Sequence, residues 1–196
     1  PSAPVVVEMS AINWGRNMNA TLADGKGSIW FNRGYPSANH GGGIVAMVDT
    51  NGVETSLSMT YVSGNVSGFP QVPVASYSDK IKGVFPAPSI GEGIGTASDD
   101  KDPLVWTIGG LDDHWKYSFE NISSREGKGT GRSAFEVTGA NTVKGVVNPS
   151  GNFQVPLVLA EARPLQGKLT LKHWSADAGE TSSFMAFRIL RIPPRQ

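Results

Sequence analysis

Asp99, Asp100 and Asp102 crowd a single short stretch, and clustered carboxylate oxygens are what Ca²⁺ coordination requires. A second acidic pair, Asp112 and Asp113, lies further along the chain. The extended run Leu104–Ile108 separates the two groups, and a strand with its flanks spans roughly 25 Å, so they cannot share an ion. The Asp99–Asp102 loop is therefore the one metal candidate, with solvated turn residues as its ordinary reading. No other cofactor is expected. The 3 histidines, His40, His114 and His173, are scattered without zinc-ligand spacing, and the chain has 0 cysteines to supply thiolates, disulfides or a thiol nucleophile.

Other chemistry fails on context. His40–Gly43 has the glycine run of a lipase or esterase oxyanion-hole segment, but no Gly-x-Ser-x-Gly elbow accompanies it, and it reads as a loop. Gly127–Ser133 misses phosphate-loop spacing. Carboxylates for a glycosidase pair are available, yet spacing selects no pair. The expected protein is not an enzyme.

Aromatic side chains are the better lead. Exposed Trp and Tyr stack on sugar rings and anchor protein interfaces. Of the 5 tryptophans, Trp106 and Trp174 sit among alternating apolar residues and are expected in the core. Trp115 follows a polar turn beside His114. Tyr35, Asn39 and His40 lie in a Gly/Pro/Asn-rich loop, Asn32–Gly43. These five residues, Tyr35, Asn39, His40, His114 and Trp115, are the candidate ligand contacts. Sequons at Asn19, Asn65 and Asn121 mark polar surface.

The elements that must position these groups are short strands. Apolar runs alternate with Gly, Pro, Asn and Asp over nearly the whole chain. The reading is an all-β, single-domain antiparallel β-sandwich of jelly-roll type, with about 10–13 short strands and little or no helix. Residues 5–192 form the domain, 1–4 a linker or processed N-terminus and 193–196 a tail. Asn51-Gly52 predicts a two-residue hairpin pairing Val48 with Thr55, Ala46 with Leu57 and Ile44 with Met59. Asn148–Gly151 predicts a type I turn joining Thr142–Val147 and Phe153–Leu159 as a further hairpin. Val72–Tyr77 and Lys80–Phe85 are read as strands. Trp115–Ile122 fits both helical spacing and strand alternation, and its aromatic content favours a strand.

Charge is balanced, with 17 basic and 17 acidic residues, and only 17% of the chain is charged. That argues against a nucleic-acid partner, which would need a clustered basic face. No apolar stretch is long enough for a transmembrane helix. A low-charge surface carried by Gly, Ser, Thr and Asn points to an extracellular, cell-surface or virion-surface protein. The expected function is attachment or recognition of a glycan or protein receptor through loops and aromatics, within a homo-oligomer or larger assembly. One alternative is a self-assembling pilin, capsid projection or fibre tip, with Pro1–Met9 or Phe184–Arg195 as the exchanged strand. Another is a polysaccharide hydrolase or lyase on the same scaffold.

Overall fold

The structure, a computed structural model, describes residues 7–13, 29–32, 45–49, 54–67, 71–85, 90–91, 93–126 and 130–192. The strands are β1 (Val7–Asn13), β2 (Ile29–Asn32), β3 (Val45–Asp49), β4 (Glu54–Ser63), β5 (Leu104–Gly109), β6 (Lys116–Ile122), β7 (Ser133–Thr138), β8 (Thr142–Val147), β9 (Leu157–Ala162), β10 (Leu169–Ser175) and β11 (Ala186–Ile192). Hydrogen-bonded neighbours run β8-β7-β10-β5-β4-β3-β2-β1-β11-β6-β9, antiparallel throughout except for the parallel pair β1 and β2. The sheet folds over into two layers. The molecule is thus all-β and two-layered with little helix, and the sandwich expectation holds at that level.

Alternation explains the core. Leu104, Trp106 and Ile108 of β5 and Leu169 and Leu171 of β10 point inward from one layer. Tyr117 and Phe119 of β6 and Phe187 and Ile189 of β11 meet them from the other. Phe184 packs between the layers, edge-on to Trp106 and Phe135 and stacked on Phe187. Gly145 of β8 lets the layers close: a Cβ there would stand 2.8 Å from Leu159 Cδ2 and 2.9 Å from Leu157 Cδ1.

His173 continues the inward face of β10 and is fully buried. Its Nδ1 faces the Ala134 carbonyl at 3.1 Å, and its Nε2 lies 2.9 Å from Ser182 Oγ. Burial pushes its pKa down to about 3, so the imidazole is neutral.

Several expectations are corrected. The Asn51-Gly52 turn lies outside the described residues, but β3 and β4 do pair antiparallel. Their register differs from the two-residue hairpin: Val45 pairs with Met59, Ala46 with Ser58 and Val48 with Glu54, with an irregularity between Ala46 and Val48. Asn148–Gly151 is a turn, with Asn148 Oδ1 accepting from Ser150 N at 3.0 Å, yet no hairpin follows. β8 pairs with β7 and β9 with β6, so the turn carries the chain from one layer to the other. Residues 116–122 form a strand, as the aromatic content indicated.

Val72–Tyr77 and Lys80–Phe85 are not strands. They hold a 3₁₀ turn, Val74–Ser76, and a one-turn helix α1, Asp79–Lys82. Ser78 caps α1 at Ile81 N, and Asp79 pairs with Lys82 at 2.9 Å. Tyr77, Ile81 and Phe85 recur every four residues and are all buried, a helical period that the alternation of Ile81, Gly83 and Phe85 concealed.

Candidate ligand groove

β6 and β11 are buried on both faces, which sets them apart from an ordinary sandwich strand. Inward go Tyr117, Phe119, Phe187 and Ile189; outward go Ile122 and Ala186, covered by Tyr77, Ile81, Phe85 and Ile90 of the excursion between β4 and β5. The cover is partial. Where it stops, an open groove lies along the cross-strand row Val158–Glu120–Arg188 of β9, β6 and β11, with Glu120 and Arg188 at its floor and Val158 at its edge.

The groove has a volume of about 270 Å³. Lys80, Ile81, Val84 and Phe85 line it on the helical side, and Val155 and Pro156 line it on the β9 side. Ser78 N donates to Phe153 O at 3.0 Å, and Tyr77 meets Phe153 edge-on at 5.4 Å, so the two sides are tied together. Val155 and Val158 are 64% and 51% exposed, apolar lips beside a polar floor.

Glu120 and Arg188 form that floor. Arg188 Nε donates to Glu120 Oε2 at 2.6 Å, with the side chains 17% (Glu120) and 16% (Arg188) exposed. The guanidinium also lies over the Phe85 ring at 5.9 Å. A carboxylate that accepts beside a guanidinium that donates presents both hydrogen-bonding senses to one small polar ligand. Lys80 is exposed at the mouth and makes no ion pair with another described residue, whereas its neighbour Lys82 is held by Asp79.

Of the residues singled out in the sequence, Tyr35, Asn39 and His40 lie outside the described residues. His114 and Trp115 are together on the turn before β6, where Asp112 Oδ1 accepts from His114 N at 2.9 Å. His114 is exposed, while Trp115 is half-buried with the Arg191 guanidinium over its ring at 4.1 Å. Trp106 is fully buried, as expected; Trp174 is only half-buried, because His173 takes the inward position beside it. Asn121 is also fully buried, so that sequon does not mark surface.

Asp99, Asp100 and Asp102 are exposed, with Asp99 Oδ1 accepting from Lys101 N at 2.9 Å. Among the described residues no group of three or more His, Asp or Glu side chains is arranged to hold a metal ion. Further along, Ile94 and Phe184 exchange backbone hydrogen bonds of 2.9 and 2.8 Å, and Ser175 N donates to Ser98 O at 2.9 Å.

Glu120 and Arg188 were not singled out from sequence. Glu120 shares β6 with Lys116, and Arg188 shares β11 with Arg191, so neither stands out within its strand. Their pairing depends on β6 and β11 becoming neighbours, although nearly seventy positions separate them.

No family model and no curated protein matches the chain. Among solved structures it is similar to a plant receptor-like kinase, at 13% identity and a TM-score of 0.47, over 67% of this chain and 40% of that one. It is also similar to an exo-β-1,3-galactanase from Phanerochaete chrysosporium determined with galactose, at 16% identity and a TM-score of 0.34, over 67% of this chain and 26% of that one. The chain therefore spans less than half the length of each. At these TM-scores neither likeness bears on function. Among the described residues no helix is long and apolar enough to cross a membrane.

Proposed function

We propose that this chain is a recognition domain of an extracellular, cell-surface or virion-surface protein, and that it binds a glycan in the groove over Glu120 and Arg188. The observation that carries the reading is the polar pair Glu120 and Arg188 set beside the exposed apolar side chains Val155 and Val158. Sugars present hydroxyls around a ring with apolar faces, and such a site offers partners for both. A groove of about 270 Å³ lies just under the roughly 300–1,000 Å³ range of ligand pockets, in keeping with a single ring held at a time. Glu120 is the one carboxylate lining it among the described residues, whereas hydrolysis by the common route takes two. That favours binding over cleavage.

The His114–Trp115 turn supports a second contact surface, because His114 is exposed beside an indole already oriented by Arg191. It suits a protein receptor better than a sugar, since one face of the indole is covered by the guanidinium.

A glycan array on the purified protein, followed by calorimetry on the hits, tests the reading. Binding that Glu120→Gln weakens at least about tenfold supports it, the loss expected when a charge-assisted hydrogen bond is removed. Release of sugar from a polysaccharide, or glycan binding indifferent to Glu120→Gln, contradicts it.

A further inference from the structure

We propose that the groove selects sugars carrying an anionic substituent, a carboxylate or a sulfate ester; the inference rests on the glycan reading above. The groove is lined by two cations, Lys80 and Arg188, against one carboxylate, Glu120, and so carries one net positive charge. The charges are not equivalent. Arg188 is committed at 2.6 Å to Glu120 on the floor, so the local excess resides at Lys80 on the rim. The nearest acid along the helix does not offset it, because Asp79 pairs with Lys82 on the next turn at 2.9 Å.

The positions match a ring with one charged arm. A ring lying on Glu120 and Arg188 uses their two hydrogen-bonding senses for hydroxyls, and its charged substituent points outward to the ammonium. An acid turned to the floor instead would meet a Glu120–Arg188 pair with no net charge, so the rim ammonium is the favoured partner for the anion. Lys80 thus acts as a specificity residue. An ammonium on a flexible stem accepts a carboxylate or a sulfate without a geometric preference between them. A rim charge contributes selectivity and rate of encounter more than total affinity.

The test compares tetragalacturonic acid, its full methyl ester and a sulfated galactan tetramer by calorimetry at low and high salt. The expected result is binding of all three, with the acid or the sulfated sugar preferred over the ester by about fivefold at low salt, the scale of one solvent-exposed ion pair. The preference shrinks as salt rises. Lys80→Gln brings the charged sugar and the ester to the same affinity, whereas Lys144→Gln on the opposite layer leaves the preference intact. Preference for either charged sugar over the ester supports the inference, because the ammonium does not distinguish carboxylate from sulfate. Equal binding of ester and charged sugars by the unaltered protein, or a preference that survives Lys80→Gln, overturns the inference while leaving the glycan reading standing. Failure of all three sugars here, together with an empty array, overturns the glycan reading and this inference with it.

Discussion

Glu120 and Arg188 form a structural pair and carry the proposed ligand contact, and the two roles can be separated. Each is largely removed from water, so removing one partner leaves the other charge stranded. Glu120→Ala should cost about 3 kcal/mol of stability, the scale for breaking a buried pair, measured by urea unfolding. The double replacement Glu120→Leu with Arg188→Met should recover most of that loss, because apolar side chains of similar size substitute well for a buried pair. It should not recover sugar binding. A double variant that binds like the unaltered protein would show that the pair is structural only. His173 is the second residue whose environment makes a measurable claim. Its ring should titrate near pH 3 rather than 6.5 by NMR, because the folded protein buries the imidazole completely. Neither role was legible in the sequence. A lone Glu in a strand and a lone His beside a Trp carry no mark of the partners that long-range pairing brings to them.

The groove exists because one element departs from the sheet. Residues 71–85 and 90–91 follow β4, form α1 and cover the outer face of β6 and β11, and Ile94 is hydrogen-bonded to Phe184 ahead of β5. The clue was present as Tyr77, Ile81 and Phe85 at helical spacing, but a helix this short gives too few turns for the period to stand out from alternation. Strand identities were easier to read, since Leu104–Ile108, Ser133–Thr138 and Leu169–Trp174 alternate cleanly. Register was harder. The hairpin logic at Asn51-Gly52 assumed a regular ladder, and the irregularity in β3 shifts pairing by a residue on either side of it. At Asn148–Gly151 the turn chemistry was legible, but which strands it joins was not, because turn residues specify a reversal and not a partner. Gly110 gives the sharpest element-scale prediction. It follows β5 at φ +78°, and a Cβ there would run into the Ser56 carbonyl. Gly110→Ala should destabilise the protein by about 2 kcal/mol or more, seen as a lowered unfolding midpoint with the urea dependence unchanged.

At the scale of the whole molecule, both ends of the described chain are built into the sheet. β1 pairs with β11 and β2, and β11 pairs also with β6. Neither is an edge among the described strands, so Val7–Met9 and Ala186–Ile192 are paired within the chain, not left as the unpaired strand that exchange would use. The edges among the described strands are β8 and β9. Acid should weaken this fold in two steps. His173 has a folded pKa of about 3 against 6.5, so the unfolded chain binds more protons between those values, and stability present above 6.5 is lost as pH falls toward 3. Glu136 is held at about 2 against 4.5, chiefly by the Lys144 hydrogen bond and further by Lys172 across β8, β7 and β10, so its contribution is present above 4.5 and lost as pH falls toward 2. Urea midpoints measured from pH 7 to pH 3 should fall, and Glu136→Gln should flatten only the lower part of the curve. The all-β, two-layer architecture was legible from alternation and turn residues. The folding of the eleven described strands into one continuous sheet was not, because strand order is set by pairings such as β1 with β11 that no local pattern encodes.

The central claim is that ligand meets the protein over Glu120 and Arg188. Backbone amide chemical-shift mapping during titration with a bound oligosaccharide tests it most directly. The account predicts shifts concentrated at Lys80–Phe85, Glu120, Val155–Val158 and Arg188. Shifts confined to the His114–Trp115 turn or to the Lys144–Glu136–Lys172 face, with the groove unchanged, would contradict it.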